Sequence, residues 1–132
     1  MLTKEDAIQT VKSFTDEILK LGIPLDKVIL FGSYAKNNQR ENSDIDIALI
    51  SPIFTGFGFE DRKHFSRINN QKPFIEIETK TFPTDYYYHS NDPFITEINQ
   101  TGIELYNADQ QPKTYPVFKN LLGLFLKILL IL

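Results

Sequence analysis

Apolar positions recur along this chain with two periods, and the changes between them mark its elements. Ala7, Ile8, Val11, Phe14, Ile18 and Leu19 fall at helical spacing behind a capping signal, Thr3 followed by Asp6, which predicts a helix ending near Gly22 and Pro24. "KVILF", Lys27 to Phe31, is a short apolar run read as a buried strand, with Gly32-Ser33 where its carboxyl end must turn. The stretch from Ser33 to Ser43 is polar, with room for one helical turn. A second strand follows from about Asp44 to Ile50, with Asp44, Asp46 and Ala48 on one face and Ile45, Ile47 and Leu49 on the other.

Pro52, Gly56 and Gly58 predict a loop that leads into a short helix reaching about Asn70. "PFIEIETKTF" alternates again: Ile75 and Ile77, after Phe74, share one face while Glu76 and Glu78 share the opposite one, which predicts a third strand. Asn91-Asp92-Pro93 reads as a helix start with Phe94, Ile95 and Ile98 on its apolar side, and Gly102 closes it. Ile103 to Tyr106 is read as an edge strand or as close packing. The organisation expected is one folded domain over 1–108, then a polar linker and apolar tail over 109–132. As a helix, Val117 to Leu132 spans about 24 Å at ~1.5 Å per residue, short of the roughly 30 Å hydrocarbon core, so a docking helix or oligomer contact is favoured over a membrane span.

Composition narrows the chemistry. The 132 residues, 42% hydrophobic, suffice for one core, and 14 Lys+Arg against 17 Asp+Glu give no basic surplus of the kind that neutralises nucleic-acid phosphates, so direct nucleic-acid binding is not expected. The chain has no cysteine, which excludes disulfides and thiolate metal sites and leaves carboxylates as hard-metal ligands; with no secretory signal at the N-terminus, a cytoplasmic location is expected.

Two aspartates alternating with isoleucine are poor strand material. Like charges on one face raise each other's pKa unless a cation lies between them, and hard divalent ions prefer carboxylate oxygens while keeping positions open for phosphates. Gly32 lets a polyphosphate approach the backbone, and Ser33 offers a hydroxyl and an N–H. These parts point to phosphoryl or nucleotidyl transfer. Lys36 and Arg40 are further candidates to steady phosphates, although a solvated cation is the commoner fate of each. His64 and His89 are too isolated to be ligands, and Tyr86, Tyr87 and Tyr88 suit base stacking or, more commonly, packing.

"GSYAKNNQRENSDIDI" resembles the signature of the minimal nucleotidyltransferases of the DNA polymerase β superfamily: Gly-Ser, ten residues, then Asp-x-Asp within an apolar strand. "DPFITEINQTGIELY" resembles the closing segment of such domains. The resemblance implies an α/β (α+β) fold with a small mixed sheet backed by helices. It implies Asp44 and Asp46 as the metal pair, Gly32 and Ser33, with Lys36, at the triphosphate, and a third carboxylate that assists deprotonation of the attacking hydroxyl. Glu78 fits that place best, four positions before an aromatic, and Glu76 shares its predicted face. Asn37 stands where glycine is common, and a glutamate stands third where aspartate is usual. The implied function is magnesium-dependent transfer of AMP from ATP to a hydroxyl on a small helical partner of the HEPN toxin type, within a toxin–antitoxin module. The alternative is a binding protein that neutralises such a partner by contact alone. An aminoglycoside-modifying enzyme of the same superfamily would need a further substrate domain.

Overall fold

The computed structural model describes residues 2–112 and 128–131. The chain begins with α1 (Lys4–Lys20), closed at its start by reciprocal bonds: the Asp6 N–H donates to the Thr3 hydroxyl, and the Thr3 N–H to the Asp6 carboxylate, each at 3.0 Å. Then come β1 (Lys27–Phe31), α2 (Gly32–Ala35), β2 (Ile45–Ser51), α3 (Gly58–Arg62), α4 (Ser66–Asn69), β3 (Ile77–Pro83), α5 (Thr84–His89), α6 (Pro93–Thr101) and β4 (Ile103–Asn107). The four strands form one mixed sheet in the order β3-β2-β1-β4, antiparallel except for the parallel pair β2–β3. A parallel pair needs a crossover, and residues 52–76 with α3 and α4 supply it.

The alternation along β2 divides the apolar residues between the sheet's two faces. Ile45, Ile47 and Leu49 join Val11, Phe14 and Ile18 of α1, together with Phe54, Phe65, Ile68 and Phe74, in the larger core. Ala48 and Ile50 join Ile29, Phe82, Tyr87 of α5 and Ile95 and Ile98 of α6 in a smaller one. The second core covers only part of its face. Asp46, one alternation before Ala48, lies where this cover ends.

The third strand is shorter than the alternation predicts. Residues Lys72–Phe74 form a 3-10 turn, residues 75 and 76 remain in a turn, and pairing starts at Ile77. Pro73 has no N–H to give a ladder, so Phe74 turns into the α1-side core and Ile75, expected on a buried face, is 62% exposed. Glu76 is therefore not on a strand face with Glu78. The segment with three tyrosines forms α5: Tyr87 is buried, and Tyr86 stacks on Phe82 with ring planes 6° apart. Most of the apolar tail, and with it the expected docking helix, lies outside the described residues; residues 128–131 are helical and exposed. Among the described residues no helix is long and apolar enough to cross a membrane.

The crossover is held by one buried charge. Asp61 is 1% exposed, and its carboxylate accepts from the Thr55 N–H at 2.8 Å, the Thr55 hydroxyl at 2.9 Å, the Gly56 N–H at 2.9 Å and the Thr81 hydroxyl of β3 at 2.7 Å. Burial pushes its pKa up, but these donors together outweigh burial and hold the carboxyl below its ordinary value. An asparagine turns one acceptor into a donor facing donors, so Asp61→Asn is expected to lose about 2–3 kcal/mol of stability near neutral pH by chemical denaturation. The stabilisation is present above the ordinary carboxylate pKa and is lost on acidification, so the gap between wild type and variant narrows below about pH 4.

Candidate active site

One rung of the sheet carries the site. Phe31 of β1 is opposite Asp46 of β2, and Asp46 is opposite Glu78 of β3. Directly paired residues point to the same face, so the two carboxylates stand on neighbouring strands about 5 Å apart in backbone spacing. Asp44 precedes β2, exposed, and shares with Glu78 the lining of a cavity at the β3 edge.

Immediately after Phe31 the chain turns through Gly32 with φ +72°, in the left-handed region. A Cβ built at Gly32 would lie 2.4 Å from Asp46 Oδ2. The missing side chain thus makes room for the carboxylate, and only glycine satisfies both the backbone angle and the contact. Ser33 follows at the start of α2, where the first N–H groups of a helical turn have no partner within it. The turn ends through Asn37 at φ +55°. Asparagine tolerates this conformation better than other side-chain-bearing residues, which explains why it can stand where the related signature commonly has glycine.

Asp46 is half-buried, and its pKa is pushed up to about 6, first by burial, then by the charges of Glu78 and Asp44. This is the conflict that a cation resolves. The donors are hard oxygens crowded along one rung, a set that fits a divalent ion. Among the described residues, no three carboxylate, imidazole or thiolate side chains are gathered into a formed ion cage; Asp44 and Glu78 flank Asp46 without converging on it.

The remaining candidates separate. Glu76 receives the Ile45 N–H on its carbonyl at 2.9 Å and lines a cavity with Leu2, Tyr34 and Ser43. Its charge helps, after burial, to raise the Tyr34 pKa, and it also borders the cavity beside Asp44 and Glu78. Lys36 Nζ lies 3.5 Å from Glu97 of α6, in an exposed pair. The Arg40 N–H is engaged by the Ser43 hydroxyl at 2.8 Å. Tyr86, Tyr87 and Tyr88 belong to α5 and its packing. Two residues that the sequence reading passes over, Arg62 and Thr79, line the cavity beside Glu78. Their only sequence signal is proximity to the third carboxylate once the crossover is folded.

The polymerase beta nucleotidyltransferase family model matches residues 15–111 of the chain. A protein of Methanocaldococcus jannaschii, provisionally named protein adenylyltransferase MJ0141, is 27% identical over 101 residues, covering 76% of this chain and 99% of that protein. A crystal structure from Sulfolobus solfataricus, provisionally named a nucleotidyltransferase, matches 85% of this chain and 90% of its own with a TM-score of 0.60 at 15% identity, a likeness of fold. A toxin–antitoxin crystal structure with AMP-PNP aligns over 74% of each chain with a TM-score of 0.49 at 21% identity. The chain belongs to the polymerase beta nucleotidyltransferase family, and its mixed sheet and helices are the polymerase-β-like fold expected from the signature.

Because the Asp46 pKa is pushed up in the folded chain from its ordinary 3.8 to about 6, ionising it costs stability as pH rises between those values. Asp46→Asn is expected to be more stable than wild type at pH 7–8 and to lose that advantage below about pH 4, read as melting temperature against pH. Gly32→Ala is expected to cost about 1–2 kcal/mol from the backbone angle alone.

Proposed function

We propose that this nucleotidyltransferase moves AMP from ATP to a side-chain hydroxyl of a partner protein in a magnesium-dependent reaction. The observation that carries the reading is the rung itself: Asp46 seated against Gly32 and opposite Glu78, with Asp44 two residues away. AMP and a protein acceptor are taken from the name of the M. jannaschii relative, protein adenylyltransferase. A small helical toxin of the HEPN type as acceptor, with this chain as its antitoxin, extends the reading along the resemblance of the signature.

In this reading the Gly32 backbone admits the triphosphate closely, and Ser33 donates its hydroxyl and N–H to phosphate oxygens. Asp44, Asp46 and Glu78 would hold magnesium, which when bound neutralises charge building on the phosphate oxygens. Glu78 accepts the proton of the attacking hydroxyl. The new bond joins that oxygen to the α-phosphorus, the bond from the α-phosphorus to the bridging oxygen breaks, and pyrophosphate leaves with the electron pair. Lys36, a proposed phosphate contact, would have to leave its exposed pair with Glu97, an interaction worth little in water.

Incubation with ATP labelled in the α-phosphate, magnesium and candidate acceptor proteins tests this, with the label followed onto protein. Glu78→Gln is expected to lower transfer by about a hundredfold or more, as loss of a general base does. Glu76→Gln, which precedes β3 and is off the rung, is expected to stay within about threefold of wild type. Equal loss in both variants would remove Glu78 from the proposed role, and full partner neutralisation by Asp46→Ala without any label would favour the contact-only protein.

A further inference from the structure

Resting on the transferase reading, we infer that a cavity of about 290 Å³ beside β3, walled by Phe57, Phe82, Pro83 and Tyr86, receives an apolar side chain of the acceptor protein near the hydroxyl that reacts. Its place follows from the sheet. Glu78, Lys80 and Phe82 alternate onto the face that carries Asp46, and the latter two line the cavity. At ~3.3 Å per residue they stand about 7 and 13 Å beyond Glu78, the reach of a residue two to four positions along an extended acceptor. The Gly32-Ser33 turn lies on the β1 side of Asp46 and Glu78 on the β3 side, so a triphosphate at the turn has its leaving group toward β1. In-line displacement then brings the hydroxyl over β3, the strand along which this cavity lies. Over β1 and β2 the next positions, Ile29 and Ala48, are already covered by the smaller core.

Phe57 is the wall that folding leaves without a use. Its ring is 73% exposed and pairs with no other aromatic ring among the described residues. The backbone beneath it is nonetheless fixed. The Thr55 and Gly56 N–H groups donate to the Asp61 carboxylate at 2.8 and 2.9 Å, and the Phe57 carbonyl accepts the Asp61 N–H at 2.9 Å. An exposed ring held on a fixed backbone loses little freedom when it is covered, which favours a contact made on binding. Across the cavity Tyr86, half exposed, is held by its stacking on Phe82 and by its hydroxyl, which donates to Asp92 at 2.8 Å.

Charge decides what fits. Lys80 and Asp92 bring one charge of each sign to the lining, so the cavity has no net charge. Asp92 is already engaged: besides the Tyr86 hydroxyl it accepts the Phe94 N–H at 2.9 Å, and these bonds hold its pKa below the ordinary value. The surface left for a ligand is the two rings, Pro83 and the Phe82 floor, which suits an uncharged aliphatic or aromatic side chain. With a net charge of -3 and no basic stripe, the chain offers no track for a polynucleotide, so a protein supplies that side chain.

The test uses the full chain, magnesium, labelled ATP and matched synthetic peptides in which tyrosine, serine or threonine has leucine, or glycine in its place, two to four residues to either side. Mg·ATP binding is measured in parallel with a fluorescent ATP analogue. Wild type is expected to favour the best leucine peptide over its glycine match by about tenfold in kcat/KM, and Phe57→Ser to bring that ratio near one. Phe57→Leu is expected to keep most of the preference. Phe59→Ser, at a ring equally exposed but outside the cavity, is expected to keep all of it, with ATP affinity unchanged in each variant. Because each ratio is taken within one variant, a partly unfolded preparation does not alter it. The same ratio in Phe57→Ser as in wild type overturns the assignment, as does a wild type that binds Mg·ATP yet labels no peptide or shows no preference. Weaker ATP binding in Phe57→Ser would give the cavity to the nucleotide base, and an equal rise toward every peptide would give it to another copy or segment of the chain; either overturns the assignment. A wild type that binds no Mg·ATP overturns the transferase reading, and this assignment falls with it.

Discussion

The crowding of Asp46 is the constraint on which the rest of the site depends. A carboxylate occupies the space that a side chain at position 32 would fill, on a rung shared with a second carboxylate, and its ionisation is opposed by both burial and charge. Nothing in the folding of the chain benefits from this. An apolar residue at position 46 would extend the smaller core by one rung, as Ala48 and Ile50 do beyond it. Unfavourable placement of this kind survives when a ligand resolves it, and here the ligand chemistry that does so is a cation shared between hard oxygens.

The sheet can carry such a rung because its two faces do different work. The α1 side is a continuous core in which Val11, Phe14, Ile18, Leu30, Ile47 and Leu49 are fully buried. The opposite side is divided, and α6 sets the boundary. Its start is fixed by Asp92, whose carboxylate accepts the Phe94 N–H at 2.9 Å, and its end by Gly102, where a Cβ would meet the Ile98 carbonyl at 2.5 Å and Ile29 Cγ2 at 2.6 Å. Held close to β1 in this way, α6 sets Phe94 edge-on against Phe31, centroids 5.5 Å apart, and the apolar cover stops beside the carboxylates.

What the residue pattern announces is what local periodicity controls. α1, β1 and α6 follow their caps and apolar spacing, and the Gly32-Ser33 turn and Asp46 are legible because the backbone and charge demands at those positions admit few residue types. The start of β3 is misread because alternation in "PFIEIE" imitates a strand, while Pro73 and the pull of Phe74 into the core produce a turn. That error put Glu76 on a face with Glu78. The helix α5 leaves no periodic trace, since its three adjacent tyrosines favour a strand by propensity and only packing of Tyr87 on Phe82 fixes them otherwise. Arg62 and Thr79 come together only through the crossover, a tertiary arrangement that no spacing encodes.

The crossover explains where the chain spends its buried polar contacts. Among the described residues β3 is an edge strand paired with β2, and a slip of one residue against β2 would send Glu78 to the face that Thr79 now occupies. The ladder to β2 is backbone pairing and tolerates such slippage; side-chain bonds to particular atoms do not. The Thr81 hydroxyl on Asp61 at 2.7 Å and the Asn69 amide on the Phe74 and Ile77 carbonyls at 3.0 and 3.2 Å are bonds of that second kind. They bracket Glu78 along the strand and hold it opposite Asp46. Asp61 and Asn69 therefore contribute to the site through register, although neither is on its rung, and the same two residues shape the wall that carries Arg62.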